Sequence, residues 1–82
     1  MRKFKVGDYV RLVNINPTFI QKNLVEGKVA RIIRIQTGEE IGYPYVIRFI
    51  NKIVGLPEGH GEVYADDEMV KLSEDEAFLY MI

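Results

Sequence analysis

Few residues in the chain could do chemistry. His60, the single histidine, stands in Pro57-Glu58-Gly59-His60-Gly61, with Glu58 and Glu62 two positions away on either side. Such a trio would hold a divalent ion only weakly. With no Cys and no second His, neither a closed metal set nor a nucleophile dyad assembles. An exposed loop histidine without a role is the plainer reading. Asp66-Asp67-Glu68 puts three acids in a row, but a general acid needs a cleft that raises its pKa, and adjacent acids in a turn mostly solvate it. Gly38, Gly42, Gly55, Gly59 and Gly61 make no phosphate loop, because none leads directly into a helix with a following Lys. The sequence therefore predicts no enzyme, no resident cofactor and no metal.

Recognition remains. Arg11, Arg31, Arg34 and Arg48 all lie in runs of strand-forming residues, with Lys3 and Lys5 near the first and Tyr9 two positions before Arg11. On adjacent strands they would form a basic face, with Tyr9 as a stacking surface for nucleic acid. The competing reading is a solvated sheet face whose arginines pair with Glu39, Glu40 or the acidic C-terminal segment. The sequence pI of 5.8 also weighs against nucleic acid. A second surface would come from Val13, Val46 and Ile50, if they point outward, together with Phe78, Met81 and Ile82 near the C-terminus. Exposed together, these would exceed the apolar patch a monomer usually shows, which points to a protein partner or self-association. Protein contact is the leading expectation and nucleic acid the alternative.

The net charge of −1 hides a division of the chain. Residues 1–57 carry ten Lys and Arg against four Asp and Glu, net +6, whereas residues 58–82 carry one against eight, net −7. Sequence halves interleave in a small sheet, so the two sets are expected to neutralise each other in space. The 82 residues predict one domain, and a chain of that length buries only about 60–65% of the surface its unfolded form exposes. There is room for one small core, with no disulfide to support it. No apolar run is long enough to span a bilayer, and Met1-Arg2-Lys3 leads into a strand, not an apolar signal core. The expectation is a soluble, cytoplasmic protein without membrane contact.

These side chains need strands to position them. Tyr9-Val10-Arg11-Leu12-Val13 alternates, with Val10 and Leu12 on one face, and Gly7-Asp8 before it suits a tight turn. Pro17 ends the ladder, and residues 17–26 read as an excursion with one helical turn that tucks Phe19, Ile20 and Leu24 under the sheet. Next comes Gly27-Lys28-Val29-Ala30-Arg31-Ile32-Ile33-Arg34-Ile35, the longest β-branched run. Strict alternation would place one of its arginines on the core face, where an unpaired charge costs several kcal/mol. A β-bulge near Arg31–Ile33 flips the parity midway, which sends Val29 and Ile32 inward and leaves both arginines in solvent. Tyr43 to Ile50 then returns antiparallel, with Pro44 at its first residues, Tyr45, Ile47 and Phe49 inward and Val46, Arg48 and Ile50 outward. A fourth strand is predicted over Gly61–Ala65 and a fifth over Glu68–Leu72. Ser73-Glu74-Asp75-Glu76 has the pattern of a capping box, which predicts a helix over 74–82. Two turns are not stable alone, so that helix must dock on an open barrel end or on another chain.

Val6-Gly7-Asp8-Tyr9-Val10-Arg11-Leu12, Gly27-Lys28-Val29-Ala30-Arg31-Ile32, Tyr45-Val46-Ile47-Arg48-Phe49 and Val63 through Leu72, in that order, resemble the SH3-like barrels of the KOW, Tudor and mind-bomb type. The likeness extends to small uncharacterised bacterial and phage proteins built on that barrel. It covers about residues 4–72 and implies a mainly β, five-stranded SH3-like barrel with a short C-terminal α-helix. There is no Trp, so the resemblance does not imply a proline-peptide groove. A methyl-lysine cage would require Tyr9, Tyr43 and Tyr64 to converge, whereas strand tyrosines more often pack half-buried.

Overall fold

The computed structural model describes residues 3–15, 17–18, 22–37, 42–51, 53, 55 and 62–81. Five strands form one antiparallel sheet: β1 (Tyr9–Leu12), β2 (Val29–Ile35), β3 (Tyr45–Phe49), β4 (Glu62–Tyr64) and β5 (Met69–Leu72), in the order β4-β3-β2-β1-β5. A one-turn helix, α1 (Lys22–Val25), lies between β1 and β2, and α2 (Glu74–Met81) follows β5.

The connection from β4 to β5 forces the sheet to curl. These strands are its two edges, which in a flat five-stranded sheet would lie about 19 Å apart. Only Ala65 and a 3₁₀ turn at Asp66–Glu68 join them, a link with a reach of about 15 Å at most. A half-barrel results. The Glu68 carboxylate accepts from the Ala65 N–H at 2.9 Å, and the Glu68 carbonyl accepts from the Val13 N–H at 2.8 Å. This acidic turn thus forms part of the scaffold, and its third acid is buried.

The concave face holds the core. Val10 and Leu12 of β1, Ala30 and Ile32 of β2, Tyr45 and Ile47 of β3, Tyr64 of β4 and Met69 of β5 cluster there with Phe4, Ile15 and Val25. The inward parity expected for β1 and β3 holds, with Phe49 half-buried against the cluster. Phe4 is tied in twice: its ring meets Tyr45 edge-on at 5.2 Å, and its N–H donates to the Tyr45 hydroxyl at 3.2 Å. Burial and the neighbouring Asp66 carboxylate both push the Tyr45 phenol above its ordinary pKa.

β2 carries the expected irregularity. Ile32 pairs with Ile47 and Arg34 with Val46, so Ile33 is the extra residue of a bulge. Because pairing stays regular through Ile32, Ala30 and not Val29 points inward with Ile32 before the bulge, and Ile35 does so after it. Val29 takes the outer parity, while Arg31 and Arg34 both reach solvent. A strand with seven residues thereby keeps its arginines out of the core without breaking the ladder. The bulge also adds twist, which helps the sheet curl.

In the connection from β1 to β2, Phe19 and Ile20 lie outside the described residues. Leu24 packs against the core as expected. Val25, which has no stripe partner in the sequence, is fully buried and is the true anchor of α1. Gly27 closes this turn at φ +86°, and its N–H donates to the Leu12 carbonyl at 2.7 Å. Glu26 joins both ends of the excursion, accepting from Lys22 and from the Ile15 N–H at 3.1 Å.

The capping box forms as expected. The Glu76 N–H donates to the Ser73 hydroxyl and the Ser73 N–H to the Glu76 carboxylate, both at 3.1 Å. Rather than plugging the open end of the barrel, α2 packs against β1 and β5. Val29, Leu72 and Ala77 are buried but stand outside the core cluster. Val29 and Leu72 share the outer parity of their strands, opposite Arg11 and Tyr9 respectively. The helix therefore lies on the convex face, with Ala77 as its buried residue, and Asn51 fixes its far end by donating to the Tyr80 carbonyl at 2.7 Å.

Candidate functional site

The register brings all five predicted basic-face residues onto the outer face of the sheet. Leu72, Tyr9, Arg31 and Arg48 follow one another directly across β5, β1, β2 and β3. One step beyond the bulge, Arg34 heads a second row with Val46 and Val63. Arg31, Arg34 and Arg48 are exposed and Tyr9 is half-buried. The Arg31 guanidinium sits over the Tyr9 ring at 5.4 Å, and its Nε–H donates to the Gly7 carbonyl at 3.3 Å. Arg11 lies on the same face one row away, half-buried between Val29 and Val70.

The expected neutralisation of this face takes no form of ion pair among the described residues. Among the described residues, none of the ion pairs involves Arg11, Arg31, Arg34 or Arg48. Lys71 and Asp8, at 3.8 Å, do bridge the two halves of the chain, but in the reverse sense, with the lysine from the acidic half and the aspartate from the basic one. Glu39 and Glu40 lie outside the described residues. Lys71 carries the inward parity of the edge strand β5 yet stays exposed, a device that discourages edge-to-edge pairing.

The apolar candidates divide. Phe78 is 60% exposed and Met81 also open, whereas Ile82 lies outside the described residues. Val46 has the outward parity read from the sequence but is only 9% exposed, since Arg34 and Val63 flank it on the same face. Val13 and Ile50 are half-buried, so these three residues do not make an open apolar patch. The sequence reading missed Leu79, 71% exposed, and Val63, also open. Helical spacing would have found the first, because Asp75, Phe78 and Leu79 fall at i, i+3 and i+4 on the side away from Ala77.

The three tyrosines do not converge. Tyr9 stacks on the convex face, Tyr64 is buried in the core, and Tyr43 lies on a cleft of about 430 Å³ with Asn14, Pro17 and Asp67. Asn14 turns the chain there with φ +48°, a left-handed conformation that Asn tolerates better than most residues. His60 and Glu58 lie outside the described residues, and among the described residues no group of three metal-ligating side chains assembles. No helix among them is long and apolar enough to cross a membrane.

No protein-family model, no curated protein and no solved structure gives a significant match to this chain.

Proposed function

We propose that the chain is a non-enzymatic binding module of the SH3-like barrel kind, and that it works by contacting another protein. The observation that carries this reading is the outer stripe of α2. Ala77 and the Asn51 bond already hold the helix in place, so Phe78 and Leu79 contribute little to docking it, yet both stand in solvent at 60% and 71% exposure. Two adjacent large apolar side chains on a fixed helix are the kind of anchor that protein interfaces bury. The SH3-like assignment rests on the order of the sequence motifs along β1, β2, β3, β4 and β5 and on the curled antiparallel sheet they form. The test compares the full chain with a Phe78→Ser/Leu79→Ser variant as bait. With no partner bound, both should melt at about the same temperature, because neither side chain is buried within the chain. Only the natural sequence should retain a partner; equal retention by the two would sink the reading.

Nucleic-acid binding is the second reading, supported by the Tyr9–Arg31 stack beside Arg48. A platform of one aromatic and several guanidinium groups suits single strands, whose bases stack without sequence readout. Titration with single-stranded and duplex oligonucleotides over a range of salt concentrations tests it. Affinity should fall steeply with added salt. Absence of binding at the lowest salt removes this reading.

A further inference from the structure

We infer that the convex face is self-complementary and that the protein partner is a second copy of this chain, paired about a twofold axis. This rests on the protein-contact reading above and names the occupant of the α2 stripe. α2 rests mainly on β5 and β1 and reaches Val29 and Asn51 at one end of β2 and β3. Among the described residues the convex side is therefore a step: a helix on one half, and on the other the open sheet that carries Arg31, Arg34, Arg48 and Val63. A helix stands about 10 Å proud of the surface it lies on, and two strand spacings are about as wide. Two such steps turned by 180° interlock, each helix filling the bare half of the other sheet. This is the condition for an isologous contact, in which one patch serves both copies.

The chemistry of the two halves matches. The bare half offers Arg31, Arg34 and Arg48 with the exposed apolar Ile33 and Val63 among them. The helix offers Asp75, Phe78 and Leu79 on one stripe, next to Glu74 and Glu76 in the first turn. Within one chain these opposite charges form no ion pair among the described residues, so Arg31, Arg34 and Arg48 and the acids of the first turn of α2 can meet between chains. A stable dimer needs about 800 Å² per partner. The broad face of a molecule measuring 38 × 29 × 22 Å supplies it.

Sedimentation velocity on the full chain, across protein concentration and salt, tests the pairing. The natural sequence should run at twice the 9.5 kDa chain mass at low salt, and dissociate as salt is added. Arg48→Glu and Asp75→Lys should each weaken the dimer by at least about tenfold, since each sets like charges against each other across the twofold. Mixed one to one they should restore it. In the mixed pair the carboxylate introduced at position 48 of one copy meets the ammonium introduced at position 75 of the other, and the unaltered Asp75 and Arg48 meet at the second contact. Circular dichroism on each variant confirms that α2 is retained. A chain that stays monomeric at every concentration and salt overturns the inference, as does a dimer indifferent to both charge reversals. If the monomeric chain still retains a different protein through Phe78 and Leu79, only the twofold pairing falls; if it retains nothing, the protein-contact reading falls with it.

Discussion

Arg31 of β2 stands directly opposite Arg48 of β3 in the antiparallel ladder, and no ion pair among the described residues engages either guanidinium. Like charges in that relation destabilise a sheet, so the pair works against folding. Arg31 is partly compensated by the Tyr9 ring and the Gly7 carbonyl, whereas Arg48 is simply exposed. Replacing Arg48 by Glu should therefore stabilise the monomer by about 0.2–1 kcal/mol, because the ladder then faces an Arg with a carboxylate. Thermal denaturation under conditions that keep the chain monomeric reads this directly. A lower melting temperature for Arg48→Glu would mean that the like-charge contact carries no penalty. A gain in stability combined with loss of binding would identify the pair as one kept for recognition.

The bulge supplies a second test, on two adjacent isoleucines. Ile32 is 1% exposed and packs opposite Ile47, whereas Ile33 is the extra residue, 40% exposed. Ile32→Ala should cost about 2–5 kcal/mol, and Ile33→Ala no more than about 1 kcal/mol. Chemical denaturation of the two variants gives the comparison. Equal costs would place both side chains in the core and exclude the bulge.

That bulge was legible because charge and parity disagreed at Arg31 and Arg34, and a sequence can display such a conflict. The capping box at Ser73 and Glu76 was legible for a similar reason, being a local pattern with a local cause. Two features were not. Val25 anchors α1 although it lacks a periodic partner, since its burial depends on where the excursion returns to the sheet. The docking side of α2 was hidden because Ala77, the smallest apolar residue of the helix, makes the closest approach, while the larger Phe78 and Leu79 look more like core on composition alone. The arginine row was readable as residues on neighbouring strands. That Arg31 and Arg48 face each other depended on register, which the loop between β2 and β3 does not fix by its composition.

Acid should loosen the connection from β1 to β2 through Glu26. Its carboxylate is held below the ordinary glutamate range, first by the hydrogen bond from Lys22 and then by the Ile15 N–H. A carboxylate whose pKa is lower folded than unfolded adds stability above its unfolded pKa and loses it as pH falls through the folded value. Between neutral pH and about pH 3 the natural sequence should therefore lose stability more steeply than Glu26→Gln. Melting temperature against pH for the two proteins checks this. Parallel curves would show that the Glu26 bonds do not distinguish the folded from the unfolded chain.

The position of α2 predicts opposite outcomes for two neighbours on that helix. Ala77 is fully buried against the convex face near Leu72 and Val29, and a carboxylate there would be buried without a partner. Ala77→Asp should undock the helix. The core cluster contains no residue of α2, so the curled sheet should survive, weakened by the newly exposed Leu72 and Val29. Far-ultraviolet circular dichroism should show helix loss with strand signal retained, and amide exchange should rise over residues 74–81 before it rises in β2 or β3. Phe78→Ser, one residue along, should leave both measurements unchanged under conditions that keep the chain monomeric, because that side chain then faces solvent. If Phe78→Ser undocked the helix and Ala77→Asp did not, α2 would lie the other way round, and its apolar stripe would belong to this chain's own packing instead of to a partner.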